Sequence, residues 1–191
     1  YDRFHDYELT MQLNYFGSLK LILTILPRMR ERKSGHIINI SSIGVQTNTP
    51  RFSAYVASKA ALDAFSRTIA SEIVDDRVDI TSIYMPLVRT PMITPTKMYD
   101  AFPTMTPDEA ADMITGAMVN RPKKVATKLG NFGELLYAVS PKASDAILNQ
   151  GYKLFPDSKA AKGEGAGKGE PDKAVSTEAV AFAHLLRGVH W

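Results

Sequence analysis

The chain has 191 residues, of which 45% are hydrophobic and 23% charged, with a net charge of +3 and no cysteine. That is the balance of a globular domain with a sizeable core; it excludes disulfides, thiolate metal sites and a cysteine nucleophile. The charge is too small, and the Lys and Arg residues too scattered, to argue for nucleic acid as a partner.

Residues 7 to 31 read as a long helix, because Leu9, Leu13, Phe16, Lys20, Leu23 and Pro27, most of them apolar, recur near a 3.6 period; Pro27 should kink it or mark a second helical piece. The longest apolar stretch, residues 19 to 29, is interrupted by Lys20, Thr24, Pro27 and Arg28, so no segment is expected to span a membrane. No signal peptide is visible; with the lack of cysteine this suggests a cytoplasmic protein. Ser34-Gly35 ends the helix. His36 to Ile40 (HIINI) then reads as a short strand buried on both faces of a parallel sheet. Residues 41 to 52 are loop-like. A second helix is expected from 53 to 74, with Leu62, Phe65, Ile69 and Ile73 forming its buried stripe. A second strand follows at 78 to 85. Helix, strand, helix, strand with short connections is the order of a doubly wound α/β fold.

Residues 86 to 106 hold four prolines and three methionines and read as a long loop. Thr106, Pro107, Asp108 and Glu109 announce a helix start: an N-cap, a proline in the first turn, and acids near the positive end. That helix should stop near Arg121-Pro122. A short strand at 123 to 128 and helices on both sides of Pro141, out to 155, complete a domain assigned to residues 1 to 157. Residues 158 to 175, with alternating glycines, read as a flexible linker of roughly 20 Å root-mean-square span. Residues 176 to 191 read as an amphipathic helix with Phe182, Leu185, Leu186 and Val189 on one face. Trp191 beside Phe182 and Leu186 is a candidate for peripheral membrane contact, packing on its own domain being the simpler reading.

Four positions carry chemistry together. Tyr55 and Lys59 form Y-x-x-x-K, and a spacing of four puts both on one helix face. A tyrosine is ordinarily a poor acid near neutrality; a neighbouring ammonium stabilises the phenolate, so Lys59 can tune Tyr55 into a proton donor for a carbonyl under reduction. Ser42 ends a strand with a hydroxyl suited to the same carbonyl oxygen. Asn14 lies mid-helix, where its amide competes with the backbone unless it has a separate task. The four histidines form no ligand spacing, so no metal is expected.

In spacing this set resembles the short-chain dehydrogenase/reductase family. Asn39-Ile40-Ser41-Ser42 matches its strand-end N-x-S-S, with Ser42 thirteen residues before Tyr55. Asn14-Tyr15-Phe16-Gly17 matches its N-x-x-G, 41 residues before the tyrosine. The resemblance implies a Rossmann-type fold and a nicotinamide cofactor, NADP or NAD with NADPH favoured. It implies that Tyr55 is the general acid/base, that Lys59 holds the nicotinamide ribose, that Ser42 polarises the carbonyl, and that Asn14 anchors a water relaying protons to Lys59. The family's loop after the next strand closes over the nicotinamide. Pro86, Val88 and Thr90 occupy that place as cofactor-binding candidates, though Leu87 stands where the family usually has Gly.

The family's glycine-rich phosphate turn should precede Asn14, so the N-terminal half of the fold is expected to be lacking. Residues 1 to 191 alone are then expected to bind cofactor poorly. From Pro86 on, the motifs are similar to the C-terminal reductase domain of bacterial multidomain fatty acyl-CoA reductases. That points to a hydrophobic carbonyl substrate, fatty acyl-CoA or fatty aldehyde, against Ser42, Leu87, Met92 and Met98. A ketoacyl or other hydroxy/keto reductase is the alternative, and a non-catalytic dimerisation module is the alternative of another class. The resemblance also implies a homo-oligomer built through the helices around Asn14 and Tyr55.

Overall fold

The computed structural model describes residues 4–91 and 102–154. The chain opens with α1 (Phe4–Met11), a π-helical segment (Gln12–Phe16) and α2 (Gly17–Glu31), followed by β1 (Gly35–Ser42), α3 (Ile43–Thr47), α4 (Ser53–Glu72), β2 (Val78–Met85), α5 (Pro107–Asn120), β3 (Lys124–Ala126), α6 (Lys128–Val139) and α7 (Pro141–Leu154). The three strands form one parallel sheet in the order β1-β2-β3. This is the βαβ layout that the sequence implied, with α4 as the crossover between β1 and β2.

One face of the sheet carries the core. Ile37 lies opposite Ile80, and Gly35 opposite Val78. Ile22 and Leu26 of α2 and Leu62 of α4 close over Ile37, Val78 and Ile80, with Ile73 joining at the end of α4. Burial of each such side chain contributes roughly 1.5–3 kcal/mol. The expected stripe on α4 therefore does face the sheet, with Phe65 and Ile69 partly buried against it. On the opposite face Thr81 and Ile83 are fully buried, α5 packs against β1 and β2, and Thr81 donates to the Pro122 carbonyl just beyond α5. Helices on both faces make the sheet doubly wound.

The helix expected over 7 to 31 runs from Phe4 to Glu31 apart from its π turn, with Pro27 inside α2. Pro27 is exposed, so water can serve the carbonyl that its missing N–H leaves behind. Three other local expectations are corrected. This 28-residue run, with a mean hydropathy of 1.2 in its most apolar window, is long and apolar enough to cross a membrane, contrary to the expectation from uninterrupted stretches. A helix spaces its few charges among apolar residues and so passes on average. The same run sends Ile22 and Leu26 into the core. Strand β1 is not covered on both faces: burial alternates along it, and Ile40 on the second face is 37% exposed. Among the described residues β1 pairs only with β2, and it is β2 that is central, buried at six of its eight positions. Finally, residues 43 to 47, read as loop, form the short helix α3.

The start of α5 is as expected. The Thr106 side chain accepts from the Glu109 backbone N–H while the Glu109 carboxylate takes the Thr106 N–H, a reciprocal capping box that holds the Glu109 carboxyl below its ordinary pKa. The linker and the C-terminal helix expected at 158 to 175 and 176 to 191 lie outside the described residues.

Candidate active site

Parallel strands end on the same edge of a sheet, so the loops after β1 and β2 rise side by side. Ser42, the last residue of β1, lies opposite Met85, the last of β2. The residues that follow each strand, Ile43 to Phe52 and Pro86 to Pro91, therefore leave the sheet at the same carboxyl edge, where an open α/β sheet usually holds its ligand in a crevice.

Ser42 caps α3. Its Oγ accepts the Gly44 N–H at 3.1 Å. An accepted bond leaves the hydroxyl proton to donate elsewhere, so the helix cap fixes the oxygen without consuming the hydrogen a carbonyl would need. From Ser42 the chain runs through α3 to Asn48 and Arg51, both in the left-handed region with φ of 52° and 71°. For a residue without Asn's local hydrogen bonding that conformation costs about 1–2 kcal/mol. These turns deliver the chain to the start of α4, where Tyr55 stands one turn in.

Tyr55 and Lys59 share a face of α4 as the spacing demanded. The Lys59 ammonium is 5.9 Å from the Tyr55 ring centroid, and the Tyr55 side chain is 37% exposed. Lys59 donates to the Ile40 backbone carbonyl at 2.8 Å; an ammonium has three donors, and this bond uses one. Partial burial lowers the lysine's pKa from its ordinary value, since withdrawal from water disfavours the charged form. Helix α4 is held in register on β1 by a second bond, buried, from Asn39 Nδ2 to Ser66 Oγ at 2.6 Å. The first residue of the N-x-S-S motif thus positions the helix that carries the tyrosine.

Asn14 lies in the π segment. A π turn breaks the regular ladder of a helix, often where function requires a side chain to be displaced. The Asn14 amide donates to Ser58 Oγ at 3.0 Å, and Ser58, wholly buried, donates to the Tyr55 carbonyl at 2.7 Å. Asn14 is therefore tied to the backbone of Tyr55 through Ser58. That link has no sequence signal, because Ser58 is 44 residues from Asn14 and stands at a position that Y-x-x-x-K leaves unspecified.

The loop after β2 is more ordered than a bare proline-rich stretch. Val88 pairs with Met105 in an isolated parallel bridge; Leu87 C=O accepts the Met105 N–H, and Met105 C=O accepts the Arg89 N–H, each at 2.8 Å. Pro86, Leu87, Val88 and Thr90 are all half-buried at this edge. Arg89 is turned outward, its guanidinium on Thr104. Met105 is buried and fills the core. Met92 and Met98 lie outside the described residues. His36 is an edge-strand residue whose Nε2 bonds Thr81 Oγ1 at 2.8 Å; burial, aided by Arg121, lowers its pKa. Among the described residues no cluster of three His, Asp or Glu is placed to hold a metal.

No motif or period points to the polar seam beneath α4. Tyr84 Oη donates to Asp63 at 2.7 Å, and both residues are buried; burial and the Asp63 carboxylate push the Tyr84 pKa well above its ordinary value. Arg67 pairs with the same carboxylate at 3.0 Å. Nor did the sequence signal that Gln46 of α3 would be buried against α6.

The family model for short chain dehydrogenase matches residues 3–99. A fatty acyl-CoA reductase of Acinetobacter baylyi is 54% identical over all 191 residues, which make up 62% of that protein. An uncharacterised oxidoreductase of Mycobacterium bovis is 50% identical across the whole chain, covering 55% of its own length. The chain thus spans a little over half the length of these relatives. Among solved structures, a short chain dehydrogenase of Burkholderia cenocepacia in complex with NADP aligns with a TM-score of 0.64 at 24% identity, over 78% of this chain and 60% of that one.

Proposed function

The chain belongs to the short-chain dehydrogenase family, and we propose that it supplies the catalytic residues of a nicotinamide-dependent carbonyl reductase acting on a fatty acyl-CoA or fatty aldehyde. One observation supports the reading: Lys59 lies 5.9 Å from the Tyr55 ring and donates to Ile40 of the strand that Ser42 ends, and Asn14 is bonded through Ser58 to the tyrosine's backbone.

The residues at this edge fit a nicotinamide ribose. Lys59 is half withdrawn from water, holds donors beyond the one given to Ile40, and stands beside a half-exposed tyrosine. A bound NADPH or NADH supplies the hydride. The protein's part is to orient and to move a proton. The Ser42 hydroxyl donates to the substrate carbonyl oxygen, fixed by its bond from Gly44. Tyr55 Oη gives its proton to that oxygen as negative charge develops there. Lys59 binds ribose hydroxyls, and its positive charge favours the phenolate that Tyr55 becomes. The Asn14 amide nitrogen is used on Ser58, so a water relay toward Lys59 would run from the amide oxygen. Pro86, Val88 and Thr90 line the cofactor side of the crevice, with Leu87 beside the substrate.

The fatty substrate is supported by the name of the Acinetobacter baylyi relative and by the apolar, half-buried Leu87 and Val88; Met92 and Met98 are proposed to extend that surface. The test is a substrate series with the full-length protein, using acyl-CoA thioesters and aldehydes of increasing chain length with NADPH and with NADH. The specificity constant should climb with chain length, by up to about fourfold per methylene if each is fully buried at about 0.8 kcal/mol. A flat profile, or a preference for short polar ketones, would reject the fatty substrate while leaving carbonyl reduction intact. Preference for NADPH over NADH is expected from the same assays.

A further inference from the structure

The segment that joins the serine to the tyrosine is gripped by helices outside the sequence motif. Residues 43 to 52 carry two left-handed turns, at Asn48 and Arg51, and their conformation sets where Ser42 and Tyr55 stand relative to each other. Two further helices, α6 and α7, follow the last strand and pack against this segment.

Helix α6 lies directly on α3. The approach is close because the facing positions are glycines: a Cβ on Gly130 would fall 2.2 Å from Gln46 Oε1, and one on Gly133 3.0 Å from Thr47 Cγ2. Gln46, 4% exposed, donates from Nε2 to Glu134 at 2.9 Å, with Asn131 Oδ1 at 3.3 Å. Glu134 is in turn paired with Lys124 at the start of β3, and that bond first, then the one from Gln46, keeps its carboxyl below the ordinary pKa. At the other end of the segment, Arg51 donates to the Tyr152 carbonyl at 2.9 Å and sits 4.0 Å over the Tyr152 ring. Helix α6 therefore holds the segment just after Ser42, α7 holds it just before Tyr55, and α6 and α7 pack on each other.

We infer that α6 and α7 form a clamp that sets the spacing of Ser42 and Tyr55, with Glu134, through Gln46, and Arg51, on Tyr152, as positioning residues for proton transfer. The inference rests on the functional reading above. The physical logic is that the serine and tyrosine must meet one carbonyl oxygen, and a displacement of about 1 Å from remote positions can cost on the order of 10²-fold in rate. Glu134 is more than half exposed at its side chain, so it can be replaced without opening the core.

The experiment compares Glu134→Ala and Glu134→Gln in the full-length protein. Glutamine keeps an oxygen for Gln46 while losing the ion pair to Lys124. Alanine removes both. Below the melting temperature, Glu134→Ala should lower kcat roughly 10–100-fold with KM for the nicotinamide cofactor unchanged within about twofold, and Glu134→Gln should restore most of kcat. Gly130→Ala, which displaces Gln46, should reproduce the alanine result. A second readout is free of activity: amide hydrogen exchange over residues 43 to 52, including the Gly44 amide bonded to Ser42, should accelerate in Glu134→Ala and return toward wild type in Glu134→Gln. If Glu134→Ala lowers the melting temperature but leaves kcat and exchange over 43 to 52 unchanged, the helices are only a stabilising appendage and the inference fails. If the wild-type protein reduces no carbonyl substrate, the functional reading fails, and exchange alone then decides whether the clamp exists.

Discussion

Replacing Tyr55 with phenylalanine separates chemistry from folding more cleanly than any other single change. The ring stays, so its packing and its 5.9 Å approach to the Lys59 ammonium stay with it. The group removed is a hydroxyl on a side chain already 37% exposed. A substitution of that kind changes stability by no more than about 0.5 kcal/mol, which moves Tm by about 1–2 °C in a domain of this size. The effect on turnover should be of another order. General acid catalysis is worth about 10²–10⁴-fold, or about 3–5 kcal/mol of barrier. The assay is loss of reduced-nicotinamide absorbance with the full-length protein and a saturating long-chain aldehyde, beside a calorimetric melt of the same preparation. Substrate KM should hold, because the hydroxyl acts on charge that appears only in the transition state. A Phe variant with unchanged Tm and turnover within about threefold of wild type would show that Tyr55 is not the proton donor, since no general acid is worth so little.

Other consequences can be measured separately. Leu9, Leu13 and Phe16 are exposed along the first helical run, Leu13 at 77%; if this face and α4 meet a second copy, the full-length protein sediments as a dimer or higher at micromolar concentration, and Leu13→Glu shifts it toward monomer. Asp63→Ala leaves the buried Tyr84 hydroxyl without its acceptor and should cost roughly 2–4 kcal/mol; adding Tyr84→Phe should recover part of that loss in denaturant melts, and a double variant less stable than Asp63→Ala would contradict the pairing. Asp76 accepts from Lys33 and Arg30, which hold its carboxyl below the ordinary Asp value. Its stabilising contribution is therefore present above that ordinary value and disappears as pH falls through the lowered one. Asp76→Asn should melt below wild type at neutral pH, with the gap closing in acid; a gap constant with pH would mean the ion pairs contribute nothing.

The pairing of the candidate residues Tyr55 and Lys59 was legible because it obeys local rules. Tyr55 and Lys59 sit a helical turn apart, and that spacing alone puts them on one face. The start of α5 was legible for the same reason, since a capping box is written in four consecutive residues. The first helix was legible past Pro27 because its apolar period continues on both sides, and an exposed position lets water serve the carbonyl that the proline frees. Helix α3 was missed because five residues give no period to read; what makes it is the cap that Ser42 provides and the contact with α6. Burial on both faces of HIINI was misassigned because an apolar run does not say which strand is central.

What the sequence by itself determined, then, is which residues can act: a serine at a strand end, a tyrosine and lysine one turn apart, an asparagine inside a helix. Only the tertiary structure decided what holds them. Asn14 reaches the tyrosine's backbone through a buried serine 44 residues away, Asn39 fixes α4 on β1 through Ser66, and α6 and α7 return from beyond the last strand to seize the segment between Ser42 and Tyr55. Those contacts join residues separated by 27 to 101 positions. Local periodicity reports only neighbours within a turn or two, so partners this distant are fixed by the order of strands in the sheet and the packing of helices upon it.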